Sequence, residues 1–212
     1  MKSSLRSVIV PLFALMTVLS VGTAPAGDVA AKTPSATVSA YTADEAIDLV
    51  TDPNGVLHFD VAEDHSRFVW DGNPALIDGM PEHHTAFITQ GYLYPAGTLT
   101  ATNGVLADGS PEFPDKVLGQ WTCTGWWIGG GEPGQTAPWM STHLFNFGSA
   151  WGEATLVTTG YDVDDLVISL DRAVTGGSGP FAGAGGVQSE VNLGFNASNG
   201  FNAQYEFHLT TS

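Results

Sequence analysis

From residue 84 onward, apolar and polar residues alternate with a period of two, the spacing of a strand with one buried face. The alternation predicts strands over 84–94, 117–128, 139–147, 153–159, 166–174, 186–195 and 201–210, with an eighth over 56–61. Glycine, proline and Asp/Asn clusters separate them, at Tyr94-Pro95-Ala96-Gly97, Gly129–Gly134, Gly176–Gly179 and Ala197–Gly200. About eight strands with mostly short links favour a single antiparallel up-and-down barrel over a two-sheet sandwich. The fold class is therefore all-β. One short helix is predicted ahead of the strands. Thr42-Ala43-Asp44-Glu45 has capping-box spacing before Ala46, Ile47 and Leu49-Val50, and Asp52-Pro53-Asn54-Gly55 ends it.

The alternation also assigns faces. In the last strand Phe201, Ala203, Tyr205, Phe207 and Leu209 share one side, against Asn202, Gln204, Glu206 and His208. The preceding strand sets Val187, Val191, Leu193 and Phe195 against Gln188, Glu190 and Asn192. A small barrel turns its dry face inward, so the apolar sets are expected inside. Around Cys123, Trp121, Cys123, Gly125 and Trp127 share one face and Trp126 lies on the other. An aromatic on the second face calls for cover, by another subunit or by the 129–138 loop.

Before the strands comes a different pattern. Lys2 and Arg6 precede an almost purely apolar run over Val8–Val21, and Ala24-Pro25-Ala26 supplies small residues for cleavage. The run is short of the roughly 18–20 residues of a spanning helix, so the segment reads as an export signal cut after Ala26. Gly27–Ala40 is small and polar and reads as an arm. The organisation expected is a signal over 1–26, a linker with a short helix over 27–53 and a barrel over 54–212, in a secreted protein free of the membrane once cleaved.

Charge narrows the partners. The 212 residues carry 22 acidic against 6 basic side chains, a formal charge of −16, which loss of Lys2 and Arg6 takes to −18. That field repels phosphate backbones, so nucleic acid is not an expected partner. Cys123 is the single cysteine, so no internal disulfide exists and stability must come from the core.

The segment Ala173-Val174-Thr175-Gly176-Gly177-Ser178-Gly179-Pro180-Phe181-Ala182-Gly183-Ala184-Gly185-Gly186 resembles a signature of the allene oxide cyclase-like and dirigent barrels. In those families a strand runs into Gly-Gly-Thr-Gly, an aromatic follows, and an Ala-x-Gly element leads into the next strand. Ser178 stands here for the threonine and Gly185 for a frequent basic residue. Gln90–Leu99 and Val117–Gly125 resemble barrel strands of bacterial members, so the likeness spans Phe87 to Leu209. Gly176, Gly177 and Gly179 are expected to form a structural corner, since no helix or lysine follows to make a phosphate cradle. The resemblance implies an apolar cavity, a cofactor-independent isomerase or cyclase activity on a small apolar molecule, and a homotrimer or other homo-oligomer. It carries over no catalytic residue.

Candidate ligand-binding residues are Phe87, Trp121, Cys123, Trp127, Tyr205 and Phe207, with Gln90 and Tyr92 as polar aids if their strand bulges. Other chemistry is sparse. His83 and His84 point oppositely if on a strand, and His58, His65, His143 and His208 are scattered, so no metal site is predicted. Asp162, Asp164 and Asp165 read as solvated turn charges. Cys123, flanked by tryptophans, reads as an inert core thiol. Asn196-Ala197-Ser198 matches a glycosylation sequon but also an ordinary hairpin tip. No cofactor is expected. A lipocalin-like carrier and a filled barrel acting through protein contacts are the alternatives to a cyclase.

Overall fold

In the computed structural model the described residues are 39–72, 74, 76–77, 80–129, 139–162 and 169–210. The export segment, most of the arm, Asp164, Asp165 and the 130–138 loop lie outside them.

The ladder runs β1 (Leu57–Trp70), β4 (Ala86–Pro95), β5 (Gly119–Trp127), β6 (Trp139–Phe147), β7 (Thr155–Asp162), β8 (Leu170–Gly177), β9 (Gly185–Phe195) and β10 (Phe201–Thr210), and β10 returns to β1. Every pairing is antiparallel, so this is a closed up-and-down barrel of eight strands. Two short strands, β2 (Leu76–Ile77) and β3 (Met80–Pro81), form a hairpin between β1 and β4.

Helix α1 (Ala43–Val50) has the capping box anticipated. Thr42 Oγ1 accepts the Glu45 N–H at 3.3 Å and the Glu45 carboxylate accepts the Thr42 N–H at 2.9 Å. Its Ala43, Ala46 and Val50 join the core at the end where β1 begins and β6 stops. There Phe59 is the hub of a ring cluster, with centroids 5.4 Å from Phe145, 5.4 Å from Phe147 and 5.3 Å from Phe207.

Some boundaries differ from the sequence pattern. β1 runs to Trp70, well past 61, because its register shifts between Asp64 and Val69 and the shift hides the alternation. His83 and His84 sit in a turn ahead of β4, with His84 at φ 68°, because Thr85 closes back onto the Glu82 carbonyl through its N–H at 3.1 Å. Gly176 and Gly177 end β8 instead of forming a loop, and a bulge at Val157/Thr158 falls beside them. The corner itself is the turn Gly179–Phe181, entered at φ 58° by Gly179, where a Cβ would collide with the Glu153 carbonyl.

The largest departure is β9. Val187 and Val191 face outward, 43% and 44% exposed, and Phe195 is exposed too, while Gln188 and Glu190 are buried. The expected faces are reversed. β-branched residues suit a strand on either face, and the inward side of β9 is polar because it meets buried polar groups on its neighbours. β10 keeps the expected faces, with Ala203, Tyr205 and Phe207 wholly buried.

The segment between β4 and β5 packs against the outside of the β1/β4 wall, making a second core of Ala62, Tyr92, Tyr94, Leu99, Val105 and Val117. Tyr92 Oη donates to the Gly109 carbonyl at 2.9 Å, Tyr94 Oη to that of Gly104 at 2.7 Å, and Asn202 Nδ2 to those of Thr100 and Asn103, both at 2.7 Å.

Candidate functional site

At the end of the barrel away from α1, β1, β5 and β7 finish and β4, β6 and β8 begin. Phe68, Trp70, Phe87, Trp127 and Trp139 meet there. Trp127 and Trp139 pack edge-to-face at 4.8 Å, Phe87 and Trp139 lie 5.2 Å apart, and Trp70 and Trp139 are nearly parallel at 6.3 Å. Phe68, Trp70 and Trp139 are only partly buried.

Strand register places polar side chains next to this cluster. Trp139 pairs with Asp162, Ser141 with Gly160, and Arg172 with Gln188. Arg172, 2% exposed, sends Nη2 to the Ser141 carbonyl and Oγ, both at 2.9 Å, and Nη1 to the Tyr161 carbonyl at 3.0 Å. Asp162 Oδ2 stands 3.5 Å from Nη1 and 3.3 Å from His143 Nε2. Gly160 leaves room for the arginine stem, since a Cβ there would sit 3.3 Å from Arg172 Cγ.

Two acids complete the set. Glu63 on β1 accepts from Thr89 Oγ1 at 2.6 Å and from the Phe201 N–H at 3.1 Å. Glu190 on β9 accepts from Gln188 Nε2 at 3.3 Å and pairs across the ladder with Tyr205.

Burial sets the protonation of these groups. It raises the Glu63 carboxyl to about 7, helped by the charges of Asp64 and Asp162. Burial also raises Glu190, with Asp162 adding to it. Burial, then the Arg172 charge, lowers His143 to about 4, so its imidazole is neutral. With Nε2–H directed to Asp162, His143 Nδ1 is a lone-pair acceptor, and it has no hydrogen-bond partner. Trp121 Nε1 and Trp127 Nε1 are likewise buried without a partner. Trp121 and Tyr205 flank the His143 ring, at 5.2 and 6.2 Å between centroids. Unpaired polar atoms are costly in a core and collect where a ligand or water completes them.

These shifts predict opposing pH effects on stability. Glu63 binds its proton more tightly folded than unfolded, so its contribution falls by about 3 kcal/mol as pH rises from about 4.5 to 7. His143 binds its proton more weakly when folded, so its contribution rises by a similar amount between about pH 4 and 6.5. Chemical denaturation of Glu63→Gln is expected to show stability rising more steeply with pH across that window than in the parent. Parallel profiles would refute the assignment.

Of the sequence-derived candidates, Phe87, Trp121, Cys123, Trp127, Tyr205 and Phe207 all face inward and are buried. Phe207 lies deeper, stacked on Phe59. Gln90 and Tyr92 lie on the outer face. Gln90 Nε2 donates to Thr122 Oγ1 at 3.2 Å, and Tyr92 serves the outer core. Burial raises the Cys123 thiol well above its ordinary range, which keeps it protonated. Asn196 does not present a free amide, since its buried Nδ2 donates to the Glu63 carbonyl at 2.9 Å and to Asn202 Oδ1 at 3.1 Å. Among the described residues no group of three or more His, Cys, Asp or Glu is arranged to hold a metal.

Sequence reasoning missed Glu63, Ser141, Arg172, Gln188 and Glu190, and gave Asp162 and His143 no role. One signal was available. Arg172 is one of six basic residues in an acidic chain and lies within a strand pattern, where an arginine facing inward needs partners.

Fold and site together define a closed up-and-down barrel with a mixed aromatic and ionisable interior. No protein-family model matches the chain, and neither does any curated protein. Solved structures do match. Two pterocarpan synthase dirigent proteins align at 16% identity with TM-scores of 0.54 and 0.51, covering 74% and 73% of this chain and 94% and 87% of theirs. A pyocyanin demethylase aligns at 15% identity over 73% of this chain and 99% of its own, with a TM-score of 0.47. The chain has the dirigent-like barrel fold anticipated from the glycine segment.

Proposed function

We propose that this protein is exported, takes a small ring-bearing apolar molecule into the aromatic end of its barrel, and guides its cyclisation or isomerisation without a cofactor. The observation that carries the reading is the buried set of Glu63, His143, Arg172 and Glu190, with the half-buried Asp162, among aromatic side chains. Well-packed apolar residues would serve stability as well or better, and shifted ionisable groups concentrate where protons are moved. Glu63 and Glu190 supply protons held close to neutral pH. His143 Nδ1 supplies a lone pair. A proton given at one atom of a ligand and taken at another is an isomerisation with no net gain or loss, and the aromatic walls fix which atoms meet.

The test incubates the protein with a panel of reactive epoxide and radical precursors and reads the product distribution. A distribution shifted by the parent and restored towards the uncatalysed ratio by Glu190→Gln is expected. An unchanged distribution across the panel refutes catalysis. A carrier is the second reading, favoured by the protonated Cys123 thiol, which offers no nucleophile. Uptake of a lipophilic fluorophore, lost in Trp121→Ala and without turnover, would select it.

Export would be seen as secreted material whose N-terminus is Gly27. Self-association has its own support, since Trp126, Met140 and Tyr161 form one exposed row across β5, β6 and β7. A monomeric mass in solution would remove it.

A further inference from the structure

The aromatic end holds two acids with no cation of their own. Glu63 and Glu190 are 5% and 7% exposed, and among the described residues neither forms an ion pair. The inward arginine, Arg172, is already engaged by Asp162, Ser141 and the Tyr161 carbonyl. Glu63 is tied through Thr89, and Phe87 is the next residue of β4 on that inward face. Asp162 pairs with Trp139. Glu63 thus lies one inward position below Phe87, and Glu190, beside Tyr205, shares Asp162 with it as a charged neighbour. Tyr205 Oη is buried beside Glu190 and offers a further oxygen.

We infer that this end of the barrel selects an aromatic organic cation, held between the tryptophan faces and the carboxylates of Glu63 and Glu190. The inference rests on the reading above that the interior takes a small ring-bearing molecule, and departs from it in giving that molecule a positive charge and the two acids a binding role in their ionised form. An anion would meet Asp162, Glu63 and Glu190 together. A neutral ligand leaves both acids holding their protons. A cation draws on the negative faces of the rings and lets the acids ionise against it, with each proton released to solvent.

Proton release makes affinity pH-dependent. Glu63 is faced by Asp64 and Asp162, with Thr89 and the Phe201 N–H as donors. Glu190 is faced by Asp162, Arg172, Tyr205 and Gln188. Asp162 and Arg172 also face His143, and together with Glu63 they face Cys123. The negative neighbours hold protons on both acids, so a cation arriving at acidic pH must displace them.

Tryptophan fluorescence titrations with 1-methylquinolinium and its uncharged isostere 1-methylnaphthalene test this, at about pH 5.5 and about pH 8.5. At the higher pH the cation is expected to bind at least about tenfold tighter, and at the lower pH that preference should shrink about tenfold. Glu63→Gln and Glu190→Gln should each reduce the preference, and the double variant, checked by a cooperative melt, should abolish it. The single variants keep the test decisive if the double variant does not fold. Equal binding of both probes at both pH values overturns the cation inference and leaves the small-molecule reading standing. Binding of neither probe overturns both.

Discussion

Arg172→Ala is expected to destabilise the barrel by about 3–5 kcal/mol, the cost of removing one partner from a buried ion pair. For a domain of this size that is a fall in melting temperature of roughly 10 °C. Arg172 is 2% exposed and ties β8 to β6 through Ser141 and to β7 through Tyr161 and Asp162. Its loss leaves the Asp162 charge and the Ser141 carbonyl without that donor, and no rearrangement of the short β7 end replaces three bonds. Thermal denaturation followed by circular dichroism checks this. Pairing Arg172→Met with Asp162→Leu should recover most of the loss, because replacing a buried pair by apolar residues is often neutral. If the double variant is no better than the single one, the arginine's role is packing and the ion pair is incidental.

Phe59→Ala is the second large effect, again about 3–5 kcal/mol, from lost transfer energy and the cavity left behind. Phe59 is completely buried, and its ring meets Phe145 and Phe147 of β6 and Tyr205 and Phe207 of β10. A barrel cannot collapse readily around such a void, because closure of the ladder fixes its radius. Urea denaturation should show a lowered midpoint with an unchanged slope. A change under 1 kcal/mol would mean that the ring cluster is loosely packed. Arg172 meets Asp162 directly, whereas Phe59 reaches His143 through the rings of Tyr205 and Phe145, so Phe59→Ala should change the pH response of stability less than Arg172→Ala does.

The barrel was legible because alternation, turn glycines and the segment around Gly176–Gly179 agreed on it. The inward aromatics on β5 and β10 were legible for the same reason. What the pattern hid were the polar residues turned inward. A strand such as β9, with valines outside and Gln188 and Glu190 inside, has the same alternation as its mirror assignment, and only its neighbours decide the face. Glu63 was hidden because the β1 pattern runs through Asp60, Glu63 and Asp64, two of which face the outer core and one the interior. Tyr92 was misplaced for a related cause. The segment packed outside the β1/β4 wall gives β4 two buried faces, so burial there does not mean the interior.

The pairing of β1 with β10 has a kinetic meaning as well. Leu57 meets Phe207 and Ala62 meets Asn202, so the ring closes between residues from opposite ends of the barrel sequence. Until β10 is available, β1 has one bare edge and Phe59 lacks Tyr205 and Phe207. Non-local closure of this kind slows folding, since a large loop must be ordered before its contacts form. Folding is therefore expected to be slow and cooperative, with β10 among the last strands to order.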